Sequence, residues 1–272
     1  MSDGDEGRRV TIQVANGVAD VRLNRPDKMN ALDPAMFREI AAAGEGLRTM
    51  PGLRAVVLSG EGRAFCAGLD MASFAATAEG RDGLPADIRA RTHGDVNLFQ
   101  HVATVWRRLP VPVVAAIAGV AYGGGLQIAL GADIRIVTPD AKLSVMEIRW
   151  GIVPDMGGNW LLRGLVRADV ARELTFTGRV VSGDEAVAIG LATRTASDPL
   201  AAAQTLAREI AGQSPDAVRA AKRLLGQADD SFADAILAAE SDEQVRLIGS
   251  PNQIEAVRAN LAKRPPVFRD PA

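Results

Sequence analysis

Three stretches carry residue types that can do chemistry together. "AYGGGLQIALGAD" places Gly123, Gly124 and Gly125 directly ahead of a helix-like run, with Gln127 in its first turn. A strand that turns into a helix there leaves backbone N–H groups unpaired at the helix start. Those donors and the aligned peptide dipoles favour a negative oxygen. Glycine has no side chain to keep such an oxygen away. A tight turn in close packing fits the same residues. The spacing is neither G-x-G-x-x-G nor a P-loop, so a nucleotide fold is not supported. "GRAFCAGLD" follows another apolar run, and its Ala67-Gly68 pair again permits close backbone approach. Two such loops from neighbouring strands can each supply one N–H to a single carbonyl oxygen, the arrangement that stabilises an enolate. The third stretch, "MEIRWGIVPDMGG", holds Glu147 and Asp155. Pro154 lies between them, so no one helix face unites them, but a loop can fold both toward one cavity. Paired carboxylates can move a proton between two carbons. Taken singly, each acid reads as a solvated surface group.

The elements that must position these groups follow from hydrophobic patterning. "VTIQVANGVADVRLN" alternates around Asn16-Gly17 and predicts a hairpin. Asp33 followed by Pro34 is a helix start, leading into "AMFREIAAAGEGLRTM". "LRAVVLSG" and "VPVVAAIAG" read as buried strands, "DIRIVT" as a further strand, and "GDVNLFQHVATVWRRL" as a helix. "NWLLRGLVRADVARELTFTG" reads as one helix stopped by glycine. The polar segment 76–83 reads as a mobile loop. Strand, strand, helix units recur at about 55 to 65 residues, which predicts a coiled or layered α/β core. Alanine-rich helices take over from Asp198, with Ser214-Pro215 as a clean start. The reading is therefore a core over 1–200, carrying the site, and a helical region over 201–272.

Composition sets the bounds. The 272 residues are 47% hydrophobic and 24% charged, ordinary for a chain with a real core. A net charge of −2 offers no basic footprint for nucleic acid. Cys66 is the only cysteine, so no disulfide forms within the chain, and a reducing, cytoplasmic setting is expected. Its apolar neighbours make it a packed small residue. The polar N-terminus shows no signal core. Leu109 to Ala132 is free of charge, but its prolines and glycines suit a buried strand and helix better than a membrane span. His93 and His101 have no metal-ligand spacing around them, so no metal site is expected. No G-x-S-x-G elbow is present.

Taken together, "LNRPDKMNAL", "GRAFCAGLD", "GVAYGGGLQIALGADIRI", "SVMEIRWGIVPDMGG", "LTFTGRVVSGDEAVAIGLA" and "SPDAVRAAKRLL" resemble, in order, the crotonase superfamily, the enoyl-CoA hydratase/isomerase family. The resemblance runs from residue 10 to 265. It implies an α/β fold, a crotonase-like spiral of ββα repeats with a C-terminal helical trimerisation region. It implies an acyl thioester of coenzyme A as ligand, CoA entering with the substrate rather than as a cofactor, and a homotrimer or hexamer. By position, it puts the oxyanion hole on the backbone N–H groups of Leu69 and Gly124. It puts CoA contacts on Lys28, Met29, Ala31, Ala67, Asp70 and Met71.

The family's hydratases use two glutamates. One matches Glu147; the other position holds Gln127, which can orient water but cannot accept and return a proton at neutral pH. Asp155 falls where the dienoyl-CoA isomerase branch keeps a catalytic aspartate opposite a glutamate matching Glu147. That branch's third acid corresponds to Gln127. A dehalogenase-like branch also has an aspartate near 155, but Glu147 would then be idle. The resemblance thus implies isomerisation of an unsaturated acyl-CoA, through Glu147 and Asp155 with Gln127 beside them. A hydratase using Glu147 with Asp155, and a non-catalytic acyl-CoA binder, are the alternatives.

Overall fold

A computed structural model describes residues 7–70, 87–229 and 233–268. Segment 76–83 and Met71 lie outside the described residues. The hairpin turns at Asn16-Gly17, both at positive φ, as a two-residue turn between twisted strands requires. It joins β1 (Val10–Ala15) antiparallel to β2 (Val18–Leu23). α1 (Pro34–Arg48) starts as expected, with the Asp33 side chain accepting from the Met36 N–H. β3 (Ala55–Gly60) runs parallel to β2. α2 (Leu98–Arg107) opens on a reciprocal cap between Asn97 and Gln100.

The charge-free run from Leu109 folds as β4 (Val113–Ile117), β5 (Val120–Tyr122) and a short helix, α3 (Gly124–Leu130). No helix among the described residues is long and apolar enough to cross a membrane. β6 (Ile134–Val137), β7 (Lys142–Ser144) and a 3-10 turn (Glu147–Trp150) follow. The single helix expected from Asn159 is two, α4 (Gly158–Arg163) and α5 (Ala168–Thr177). Gly164 ends the first, and the chain turns so that Val166 is buried. β8 (Val181–Ser182), α6 (Gly183–Ala188), β9 (Arg194–Thr195), α7 (Pro199–Ala211), α8 (Pro215–Asp229), α9 (Ala233–Leu247) and α10 (Pro251–Leu261) complete the chain.

Two sheets result. One has the order β1-β2-β3-β4-β6-β9, the other β5-β7-β8. Each turn of the spiral gives one strand to each sheet and then a helix: β4–β5–α3, then β6–β7–α4. In the preceding turn, a single bridge of Cys66 to Ala121 stands in for the second strand. The long-sheet strands begin at Ala55, Val113, Ile134 and Arg194, so the repeat is not even. The turn between β4 and β6 holds only β5 and the short α3, and this is the turn that carries the three glycines.

Side chains alternate across the long sheet. Val56 and Leu58 face the main core, while Ala55 and Val57 face a second one. That second core is covered by Ala203 and Ala207 of α7, so the first helix of the alanine-rich region lies on the sheet. α9 and α10 return to pack on α4 and the 3-10 turn.

Candidate active site

The two donor loops lie in parallel register. The Cys66 N–H donates to Val120 O (3.1 Å) and the Tyr122 N–H to Cys66 O (3.1 Å). Counting on from the Cys66–Ala121 pair sets Gly68 opposite Gly123 and Leu69 opposite Gly124. Gly68 (φ 88°) and Gly123 (φ 50°) are both left-handed, so each loop turns at the residue before its donor. A Cβ on Gly68 would sit 2.7 Å from Tyr122 O, and one on Gly125 would sit 2.4 Å from Cys66 O. The glycines therefore allow a backbone approach that no side chain would permit. Neither the Leu69 nor the Gly124 N–H meets an acceptor among the described residues.

The segment 25–33 is laced to the loop that carries Gly68. Ala67 N–H donates to Met29 O (2.9 Å), Leu32 N–H to Gly68 O (2.8 Å) and Asp70 N–H to Leu32 O (3.0 Å). Lys28, Met29, Ala31, Ala67 and Asp70 thus share one rim, with Lys28 exposed. Arg25 reaches across it, donating to Asp70 Oδ2 (2.5 Å) and Ala31 O (3.1 Å). Asn30, absent from the expected set, is the buried staple beneath. Its Nδ2 lies within bonding distance of the Glu61, Ala64 and Phe65 carbonyls, and its Oδ1 accepts from the Arg25 N–H. The legible signal was a polar residue between two apolar ones in "KMNAL".

Gln127 is buried and bonded through both ends of its amide. Its Oε1 accepts from the Met156 and Gly158 N–H groups, each at 2.9 Å, which fixes the amide's orientation. Its Nε2 then donates to Glu147 Oε1 at 2.6 Å. One neutral side chain therefore ties the glutamate to the turn that carries Asp155. A Cβ on Gly158 would meet Gln127 Oε1 at 2.6 Å, so that glycine makes room for the amide.

Glu147 is buried, and its second oxygen, Oε2, has no hydrogen-bond partner among the described residues. Burial pushes its carboxyl up to about 7, opposed by the Gln127 N–H. Asp155 is pushed up to about 8, first by loss of water and then by the charges of Glu240 and Glu147; Gln244 bonds to it and pulls the other way. The loop does what linear spacing left open: it brings the two acids close enough for the charge of Glu147 to act on Asp155.

Glu240 and Gln244, both on α9, were missed. They lie on that helix's buried stripe with Ala233, Leu237 and Ser241. Polar residues at core-facing helical positions were the available signal. His93 and His101, expected to stand clear of any metal constellation, stack at 4.5 Å between ring centres. Together with Glu45 of α1 they set three ligand-type atoms within 4.8 Å of one another. Linear spacing cannot show a group assembled from three separate segments.

Comparison with known proteins gives the family. A family model described as enoyl-CoA hydratase/isomerase matches residues 13–271. The mitochondrial Delta(3,5)-Delta(2,4)-dienoyl-CoA isomerase of Mus musculus is 33% identical, over 93% of this chain and 80% of its own. The (E)-benzylidenesuccinyl-CoA hydratase of Thauera aromatica is 34% identical, over 79% of this chain and 80% of its own. A crystal structure of an enoyl-CoA hydratase from Mycobacterium avium subsp. paratuberculosis superposes with a TM-score of 0.82 at 26% identity, covering 96% of this chain and 99% of that one. With the family model spanning nearly its whole length, the chain belongs to the enoyl-CoA hydratase/isomerase family of the crotonase superfamily.

Proposed function

We propose that this family member is an isomerase that moves double bonds in an unsaturated acyl-CoA. The thioester oxygen sits between the Leu69 and Gly124 N–H groups, CoA entering as part of the substrate along the rim from Lys28 to Asp70. Charge that develops on that oxygen is stabilised there, and one such donor is worth about 2.7–4 kcal/mol of barrier. Glu147, ionised, takes a proton from the carbon beside the carbonyl. The electron pair passes into the conjugated system, and Asp155, protonated, delivers a proton at its far end. Glu147 finishes protonated and Asp155 ionised, and exchange with solvent resets both.

The observation that carries this reading is the Gln127 amide. It is spent on orienting Glu147 and the Asp155 turn, which leaves Glu147 Oε2 without a partner among the described residues. Hydration by two glutamates has no second glutamate at this position. Water addition with Asp155 as the second acid is the other reading, and the hydratase among the relatives favours it.

The test is incubation with a 3,5-dienoyl-CoA and with crotonyl-CoA, followed by absorbance. Gain of a conjugated dienoyl chromophore supports isomerisation. Loss of the crotonyl chromophore supports hydration, and binding without either change marks a non-catalytic acyl-CoA binder. Glu147→Gln and Asp155→Asn should each lower kcat by about 10²–10⁴-fold while thioester affinity survives. Near-normal turnover by Asp155→Asn would overturn the two-carboxylate relay.

A further inference from the structure

We propose that Glu240 is a positioning residue of this site, a carboxylate clamp that holds the 155–159 turn against the Gln127–Glu147 pair. It comes from α9, more than eighty residues beyond the acid it would serve, and it touches no reacting atom.

Four donors converge on it. Oε2 accepts from the Gly157 N–H (2.8 Å) and, at 3.5 Å, faces Gln100 Nε2. Oε1 accepts from the Asn159 N–H (3.0 Å) and from Asn159 Nδ2 (3.1 Å). Three of these belong to residues 157 and 159, directly beyond Asp155. The same turn is held from its other side by Gln127, through Met156 and Gly158. Alternate N–H groups of one short segment therefore go to two opposed side chains, Glu240 and Gln127. Such a pincer fixes the turn far more tightly than packing alone, and a misplacement of about 1 Å can cost 100-fold in rate.

The chemistry of the donor set selects the ionised form. Both oxygens face N–H groups, so a protonated carboxyl would point its O–H at a donor. Burial opposes this, raising Glu240 toward about 7, while the donors lower it. The resulting negative charge lies beside Asp155 and, together with that of Glu147, favours a protonated Asp155. Gln244, also on α9, is neutral and bonds to Asp155. Arg91 is a nearby cation on the far side, donating to Gln100 Oε1 (3.1 Å) and Ser241 Oγ (3.2 Å) rather than to Glu240. The clamp thus has two effects: it places the turn, and it keeps Asp155 protonated as the acid of the relay.

The inference rests on the isomerase reading, in which Asp155 delivers a proton. The experiment is a pH profile of kcat and KM on a 3,5-dienoyl-CoA for the full-length chain, Glu240→Gln, Glu240→Asp and Asp155→Asn, with circular dichroism as the check on folding. Activity that needs protonated Asp155 is lost as pH rises through its pKa. Removing the neighbouring charge lowers that pKa, so Glu240→Gln should move the basic limb down by about one pH unit and lower kcat about 10-fold to 100-fold, with KM little changed. Glu240→Asp keeps the charge but shortens the reach. It should lower kcat and leave the basic limb in place, and it serves alone if Glu240→Gln does not fold. An unmoved limb in folded Glu240→Gln, or full kcat in Glu240→Asp, overturns the clamp. If Asp155→Asn itself keeps full turnover, the isomerase relay is what fails, whatever the Glu240 variants do.

Discussion

Gln127 shows how one amide decides the chemistry available to its neighbours. Replacing it by glutamate is nearly isosteric, but the new carboxylate would stand 2.6 Å from Glu147 Oε1, where an N–H donates now. Two carboxylates at that distance cannot both ionise freely, and they titrate as a pair. Gln127→Glu should therefore push Glu147 above about 7, so that its function as a base appears only at higher pH. The rising limb of the kcat profile should move up by about one unit or more. If the site can also hold water between two acids, the variant should gain hydration of crotonyl-CoA. No hydration from pH 6 to 9, with thioester binding intact, would show that the water position is absent. Gln127→Ala should cost less than Glu147→Gln, since the amide orients and does not transfer the proton.

At the scale of elements, the site is a product of two loops that must touch. The bridge of Cys66 to Ala121 and the left-handed glycines at 68 and 123 set the two loops against each other. Gly68→Ala tests this. Its φ of 88° is strained for any side chain, and the added methyl would press on Tyr122 O at 2.7 Å. Separating the loops should remove one oxyanion donor and lower kcat by about 10²–10³-fold, with a smaller effect on ground-state affinity. Equal losses in kcat and in thioester affinity would mean that the loop is a binding surface only. The hairpin, the Asp33 cap and the Ser214-Pro215 helix start were legible because each is set by residues within four positions of one another. The break at Gly164 was not, because burial of Val166 overrides a helical pattern that continues on both sides.

At the scale of the whole molecule, α8 presents Leu224 and Leu225 at 67% and 71% exposure, adjacent leucines with no cover in the single chain. We propose that they lie in a contact between copies, giving a trimer or a dimer of trimers. Light scattering at micromolar concentration should show that mass, and Leu224→Ser with Leu225→Ser should shift it toward the monomer. A monomeric wild type would refute the proposal. The same C-terminal region already serves its own chain, since α9 holds Glu240 and Gln244 against the backbone of Val153 and Gly157.

Local rules alone determined a good deal about this protein. Glycines ahead of a helix imply anion access wherever they occur, and a glutamine at position 127 cannot relay a proton in any fold. The motif order carried the superfamily, because the blocks place their turns and helix starts in a fixed sequence. What only the tertiary structure decided is which groups meet. Glu147 is tied to the turn that carries Asp155 because Gln127 bonds both the glutamate and that turn's backbone, and Glu240 joins because a helix more than eighty residues away folds back over the turn. The Glu45, His93 and His101 group likewise exists only after folding. The reason is physical: a buried carboxylate's proton affinity depends on water excluded and charges nearby, and both are set by chain segments that sequence distance does not measure.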